Sequence, residues 1–362
     1  MSEYRDLYWI FAFYLAGTFL DTSWFFTGIE EMGPVVLRNY VVRILSTILL
    51  FVLVRSREDL PVYLWLTCLT VFANSVAIVP FLRTRIQRVE RRELHVGRHL
   101  LPALALFLPQ AASQIYVQCD KVLIRHLLQN PSYISFYTEN EKIAKMPVIL
   151  ATALSTVLMP RIAYEFSRGK ESQIAFYIRK SFLCTVFVLA PCCAGLFAVA
   201  PSFVPLFLGA EFSGTWKILR MFCPVMLFIG CSNVTGIQYL VALGRTRELT
   251  VSYVSAALLN LLLDLLLIPR IGVYGAIVGT VAAEFVVFLI QYVYMRRDLG
   301  RIGMAAPLCR IALCALFMGA VVLACGRLPL GMAVKLAVQV AAGVILYAAA
   351  AARSGIFREN PL

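Results

Sequence analysis

At 362 residues, 60% hydrophobic and only 15% charged, the chain excludes a soluble fold; long apolar runs recur from end to end, as in an integral membrane protein. The runs are too long and too uniformly apolar for barrel strands, so the fold class is all-α, a polytopic bundle of about eleven spans. A formal net charge of +13 does not point to nucleic acid, because the Arg and Lys residues gather in short loops between apolar runs and serve membrane orientation.

The first span is expected at about 7–26, closed by Asp21, Trp24, Gly28, Glu30 and Glu31, with Trp24 as an interfacial anchor. No cleavable signal peptide is read before it, since Glu3 and Asp6 flank Arg5 and no small-residue cleavage site follows. Spans at about 35–54 and 62–82 meet at a polar turn around Arg57, Glu58 and Asp59. Arg83, Arg85, Arg88, Arg91, Arg92 and Arg98 then form the most basic loop, which the positive-inside rule places in the cytoplasm.

A span at about 100–128 follows, then a loop with Asn130, Pro131 and Tyr133, then a helix beginning with Lys142 and Lys145. Arg161, Arg168, Lys170, Arg179 and Lys180 mark a second cytoplasmic segment. Further spans are expected at about 182–200, 216–243, 249–268 and 273–294, the last closed by Arg296, Arg297 and Arg301. Two Ala-rich spans, about 307–325 and 330–352, look peripheral. Ten cysteines, Cys192 and Cys193 adjacent, show no metal-ligand spacing and read as packing residues; no metal or cofactor is implied.

Function is read first from a polar stripe. Gln110, Gln114, Gln118, Lys121 and Arg125 fall within an arc of roughly 80° on one helix. Such residues at bilayer depth face a bundle interior or a wet cavity. Lys142, Lys145, Thr152 and Thr156 repeat the pattern, so two helices would line one cationic cavity. The alternative has the cations snorkelling to headgroups with Asp120, Glu139 and Glu141 as partners, which leaves Gln110 and Gln114 unexplained. Asp264 and Glu284 read either as proton or sodium coupling sites or as structural groups, Asp264 reaching headgroup water and Glu284 bonded to a neighbouring helix. The only histidines are His95, His99 and His126, and no acid or base pair is evident, so no catalytic residue is assigned.

The motifs carry a resemblance. The run Asp21, Trp24, Phe26, Gly28 and Glu30 resembles the end of the fourth helix of polysaccharide (O-antigen and capsule repeat-unit) flippases. Tyr116, Gln118, Asp120 and Lys121, then Tyr137, Asn140, Glu141, Lys142, Ile143, Lys145 and Pro147, then Pro160, Arg161, Phe166 and Gly169 are similar to the start of that family's second half. Ser232, Asn233, Gly236, Gln238 and Tyr239 continue it, as do Ile268, Pro269, Arg270, Gly275, Ala283 and Glu284. The agreement is most like the repeat-unit transporters of Gram-positive capsule and exopolysaccharide loci.

The resemblance implies the fold of the multidrug, oligosaccharidyl-lipid and polysaccharide exporter superfamily, with alternating access between two lobes. Its cargo would be an undecaprenyl diphosphate-linked oligosaccharide, flipped between leaflets of the cell membrane among membrane lipids, with a polysaccharide polymerase as a candidate partner. On this reading 1–98 is a partial N-terminal lobe of about three spans, 99–300 a C-terminal lobe of about six, and 301–362 two peripheral spans. The family's first three helices have no counterpart here. Counting spans from the basic loop sets the N-terminus outside and the C-terminus in the cytoplasm, and about three upstream spans would return the start to the cytoplasm. Competing readings are a cation-coupled drug exporter of the same superfamily, an inactive truncated fragment, and a membrane enzyme acting on lipid-linked sugars.

Overall fold

A computed structural model describes residues 8–29, 31–87, 96–128, 130–300 and 303–354, which among themselves are helical with no strand. The chain divides between Val96 and Gly97 into two compact units.

In the first unit, α1 (Ile10–Leu20) and α3 (Gly33–Leu53) both pack on α4 (Leu60–Ala77), and α5 (Val79–Arg83) follows it. Gly17 permits the close approach of α1, since a Cβ there would lie 2.8 Å from the Phe72 backbone. The single span expected at 7–26 is broken. Asp21 leaves the helical region at ψ 116° and accepts from Ser23 N (3.1 Å) and Ser23 Oγ (2.5 Å), starting the short α2 (Ser23–Gly28). Arg38 holds the corner by donating to Ser23 Oγ at 2.8 Å and facing Asp21 at 3.7 Å. Between α3 and α4, the N–H groups of Arg55 and Ser56 donate to Asp59 and hold its carboxyl below the usual range.

The second unit begins with α6 (Val96–Leu128) and continues through α7 (Ser132–Lys145) and α8 (Val148–Ser167). Met146 and Pro147 separate α7 from α8; proline offers no N–H to the preceding turn, so one continuous helix is not sustained. α9 (Glu171–Leu208) has 38 residues, roughly 57 Å of helix, more than a bilayer core requires. Its Pro201 deprives the Phe197 carbonyl of a helical donor, and Arg220 Nε supplies one at 2.8 Å. Arg220 belongs to α10 (Trp216–Ser232), which widens into a π-helical stretch, Asn233–Val241. α11 (Thr246–Ile271) and α12 (Val273–Leu299) form a hairpin about Gly272, whose φ of +63° suits glycine. α13 (Ala305–Cys325) packs on α9 and on α14 (Met332–Ser354).

Among the described residues, nine helical segments are long and apolar enough to cross a membrane. The two expected spans outside that set are the first, where α1 has only 11 residues, and the polar-striped α6, which has 33.

Candidate functional site

The polar stripe lies at the surface of the second unit. Gln114, Gln118 and Arg125 are exposed on α6 and Lys121 is partly buried; the Gln110 side chain falls outside the described residues. On α7, Lys142 is exposed and Lys145 partly buried. Both lysines occupy the last turn of α7, not the start of a spanning helix, so the expected shared face with Thr152 and Thr156 of α8 is interrupted at Pro147. Thr152 instead accepts from Asn233 Nδ2 at 3.1 Å.

The three lysines are compensated. Glu141, buried, accepts from Lys145 Nζ at 2.6 Å and faces Lys121 Nζ at 3.6 Å, so one carboxylate carries two lysines. Lys121 also reaches Gln118 Oε1 at 3.4 Å, and Lys142 pairs with Glu139 at 2.7 Å. Glu284 is buried on α12. Arg125 has no ion-pair partner among the described residues.

Behind this face lies a polar group that the sequence reading divided wrongly. Asp120 has no ion pair among the described residues. Its Oδ2 is 2.5 Å from the Tyr137 hydroxyl and 2.6 Å from the Thr280 hydroxyl, which are 2.6 Å apart. Asp264 faces Asp120 closely enough for each charge to act on the other. Asp264 is fully buried, which overturns the reading that it reaches headgroup water. Among the described residues, Asp120 Oδ1, both carboxylate oxygens of Asp264 and both amide atoms of Asn260 have no hydrogen-bond partner. Gly279 makes room for this arrangement, because a Cβ there would stand 2.3 Å from Asp264 Oδ1. Two carboxylates, from α6 and α11, and the Asn260 amide are thus gathered in the interior of this unit. The available sequence signal was an aspartate inside an apolar helix, which by itself names no partner.

A second buried seam joins α8, α10, α11 and α12. Gln238 Nε2 donates to Ser155 Oγ (2.8 Å), Thr235 Oγ1 to Gln291 Oε1 (2.9 Å), and Gln291 Nε2 to Ser252 Oγ (3.0 Å). Gly236 lies against Gln291, where a Cβ would come within 2.9 Å. At the basic end, Tyr239 donates to Asp298 (2.8 Å), which also pairs with Arg245. The run Asn233, Gly236, Gln238 and Tyr239 is therefore an interior fastening of this unit.

Known proteins bear on this arrangement. A family model described as "Lipid II flippase MurJ" matches residues 32–343. A "Putative O-antigen transporter" of Shigella dysenteriae is 23% identical over 297 residues, covering 80% of this chain and 73% of that protein. One of the same description from Escherichia coli (strain K12) is 22% identical over 299 residues, covering 82% and 72%. A solved structure titled "Lipid II flippase MurJ, inward closed conformation" shares the fold with a TM-score of 0.78 at 17% identity, over 97% of this chain and 74% of that one. The chain belongs to the lipid II flippase MurJ family, among the lipid-linked oligosaccharide flippases of the exporter superfamily that its motifs resemble.

Proposed function

We propose that this chain translocates undecaprenyl diphosphate-linked oligosaccharide repeat units from the inner to the outer leaflet by alternating access, for capsule, exopolysaccharide or O-antigen assembly. The observation that carries the reading is the exposed polar face of α6 and α7. Gln114, Gln118, Lys121, Arg125, Lys142 and Lys145 stand at the surface of the second unit, within segments flanked by apolar spans. Lipid does not accept such a face, whereas a diphosphate-sugar head needs cations and amide donors in water. Gln110 belongs to the same stripe by its spacing. A polysaccharide polymerase would take the delivered product, and the basic ends of the spans would lie in the cytoplasm with the C-terminus.

The reading is tested by inactivating the gene in its own host. Lipid-linked repeat units should accumulate in the inner leaflet and surface polymer should fall, both restored by the intact gene. Normal surface polymer with no accumulation would sink the proposal.

Transport by this route would be coupled to a monovalent cation held by Asp264 and Asp120, with Glu284 balancing Lys145. The unpaired oxygens, Asp120 Oδ1 and both of Asp264, favour this over a structural role, since two facing buried carboxylates are costly unless a cation or proton joins them. Asp264→Asn should raise thermal stability, by relieving that repulsion, while abolishing transport driven by a sodium or proton gradient in vesicles. Unchanged gradient-driven transport would remove Asp264 from coupling.

A further inference from the structure

At the basic end of the second unit, a cavity of about 530 Å³ opens to the outside of the bundle between α9, α12 and the start of α13. Its wall is apolar and aromatic. Phe182 and Val186 come from α9, Phe288 and Tyr292 from α12, and Leu308 from α13. The rings form a continuous run, Phe182 to Phe288 at 6.4 Å and Phe288 to Tyr292 at 5.7 Å between centroids. Among the described residues, the charged group lining it is Arg296, in the last turn of α12.

The charges around Arg296 are otherwise engaged. Asp298, two residues on, takes both Tyr239 and Arg245. Arg297 lies over the Tyr294 ring at 5.9 Å. Arg296 has no hydrogen bond or ion pair among the described residues. An apolar cleft beside a bilayer fills with hydrocarbon, and a free guanidinium at its polar end selects what is attached to that hydrocarbon. The combination matches an amphiphile with an anionic head at the interface and a chain lying inward. None of these residues belongs to the polar face or to the buried acids.

We propose that this groove binds one anionic phospholipid from the leaflet at the basic end, its acyl chain along Phe182, Phe288 and Leu308 and its phosphate on Arg296. The lipid is a bilayer component and not the cargo, and the site stands whether or not the flippase reading does. Zwitterionic lipids offer the same chain without the net charge, so headgroup preference is the signature.

The test uses purified full-length protein in mild detergent with an equimolar mixture of phosphatidylglycerol and phosphatidylcholine, bound lipid being counted by native mass spectrometry. The parent should retain phosphatidylglycerol in preference. Arg296→Gln should lower that retention about fivefold, while Arg297→Gln, which removes the same charge one residue away, should change it by less than about twofold. Val186→Phe, which narrows the groove, should reduce retention of both lipids. Equal losses from the two arginine variants would reduce the effect to general surface charge and overturn the proposal. So would a parent without headgroup preference, or a retained adduct with the mass of a polyprenyl diphosphate.

Discussion

Glu141 determines how the two lysines of the polar face behave. Its bond to Lys145 is short, at 2.6 Å, whereas Lys121 stands at 3.6 Å; the two lysine side chains are about equally exposed, at 26% and 24%. Removing Lys145 leaves a buried carboxylate with only the longer contact, so Lys145→Ala should cost about 2–3 kcal/mol, less than a fully buried pair because part of the site is open to solvent. Lys121→Gln keeps the short pair and should cost under about 1 kcal/mol, yet remove a cation from the path of an anionic head. Thermal unfolding in nanodiscs separates the two, and polymer export in a flippase-null host should fall at least about tenfold for Lys121→Gln at wild-type protein level. Wild-type export would detach Lys121 from the cargo path. The stripe itself was legible because helical period places Gln114, Gln118, Lys121 and Arg125 together. Its compensation was not, since period names a face and not what stands opposite.

Among the elements, the α11–α12 hairpin is the most tightly closed. Gly275, Gly279 and Ala283 recur every four residues on α12 and let the two helices approach, as small residues do between membrane helices. A Cβ on Gly275 would lie 2.5 Å from the Leu267 carbonyl carbon, a backbone atom that cannot rotate away. Gly275→Ala should therefore cost about 1–3 kcal/mol, read as a lowered melting temperature, whereas Gly28→Ala, with nothing within 4 Å of the new atom, should lie within about 0.5 kcal/mol of the parent. Comparable melting temperatures would show that the hairpin yields without strain. The break between α7 and α8 was also within reach of the sequence, because Pro147 has no N–H to give the Ile143 carbonyl, which Met146 N takes instead at 3.3 Å. The π-helical stretch was not, since nothing in the Asn233–Val241 sequence shows that Gln238, Thr235 and Gln291 take interior partners.

For the molecule as a whole, orientation remains a matter of charge. Ser167 and Ser213 are exposed beyond opposite ends of α9, Ser167 beside Arg161, Arg168 and Lys170. With the basic end cytoplasmic, Ser213→Cys should react with a membrane-impermeant maleimide in intact cells above the parent's labelling, and Ser167→Cys only after permeabilisation. The reverse pattern would invert the topology, and with it the leaflet from which cargo enters.

The sequence by itself determined the membrane class, the positions of most spans, the basic ends and the family motifs. These follow from sums over neighbouring residues, since transfer of an apolar run into a bilayer depends on the run alone. Only tertiary structure decided which polar groups meet. Asp120 is brought to Tyr137 and Thr280 across 17 and 160 positions, and Gln238 to Ser155 across 83. Those encounters depend on how helices pack, and packing is chosen by the whole bundle, because a buried polar group is stable only where another element supplies its partner.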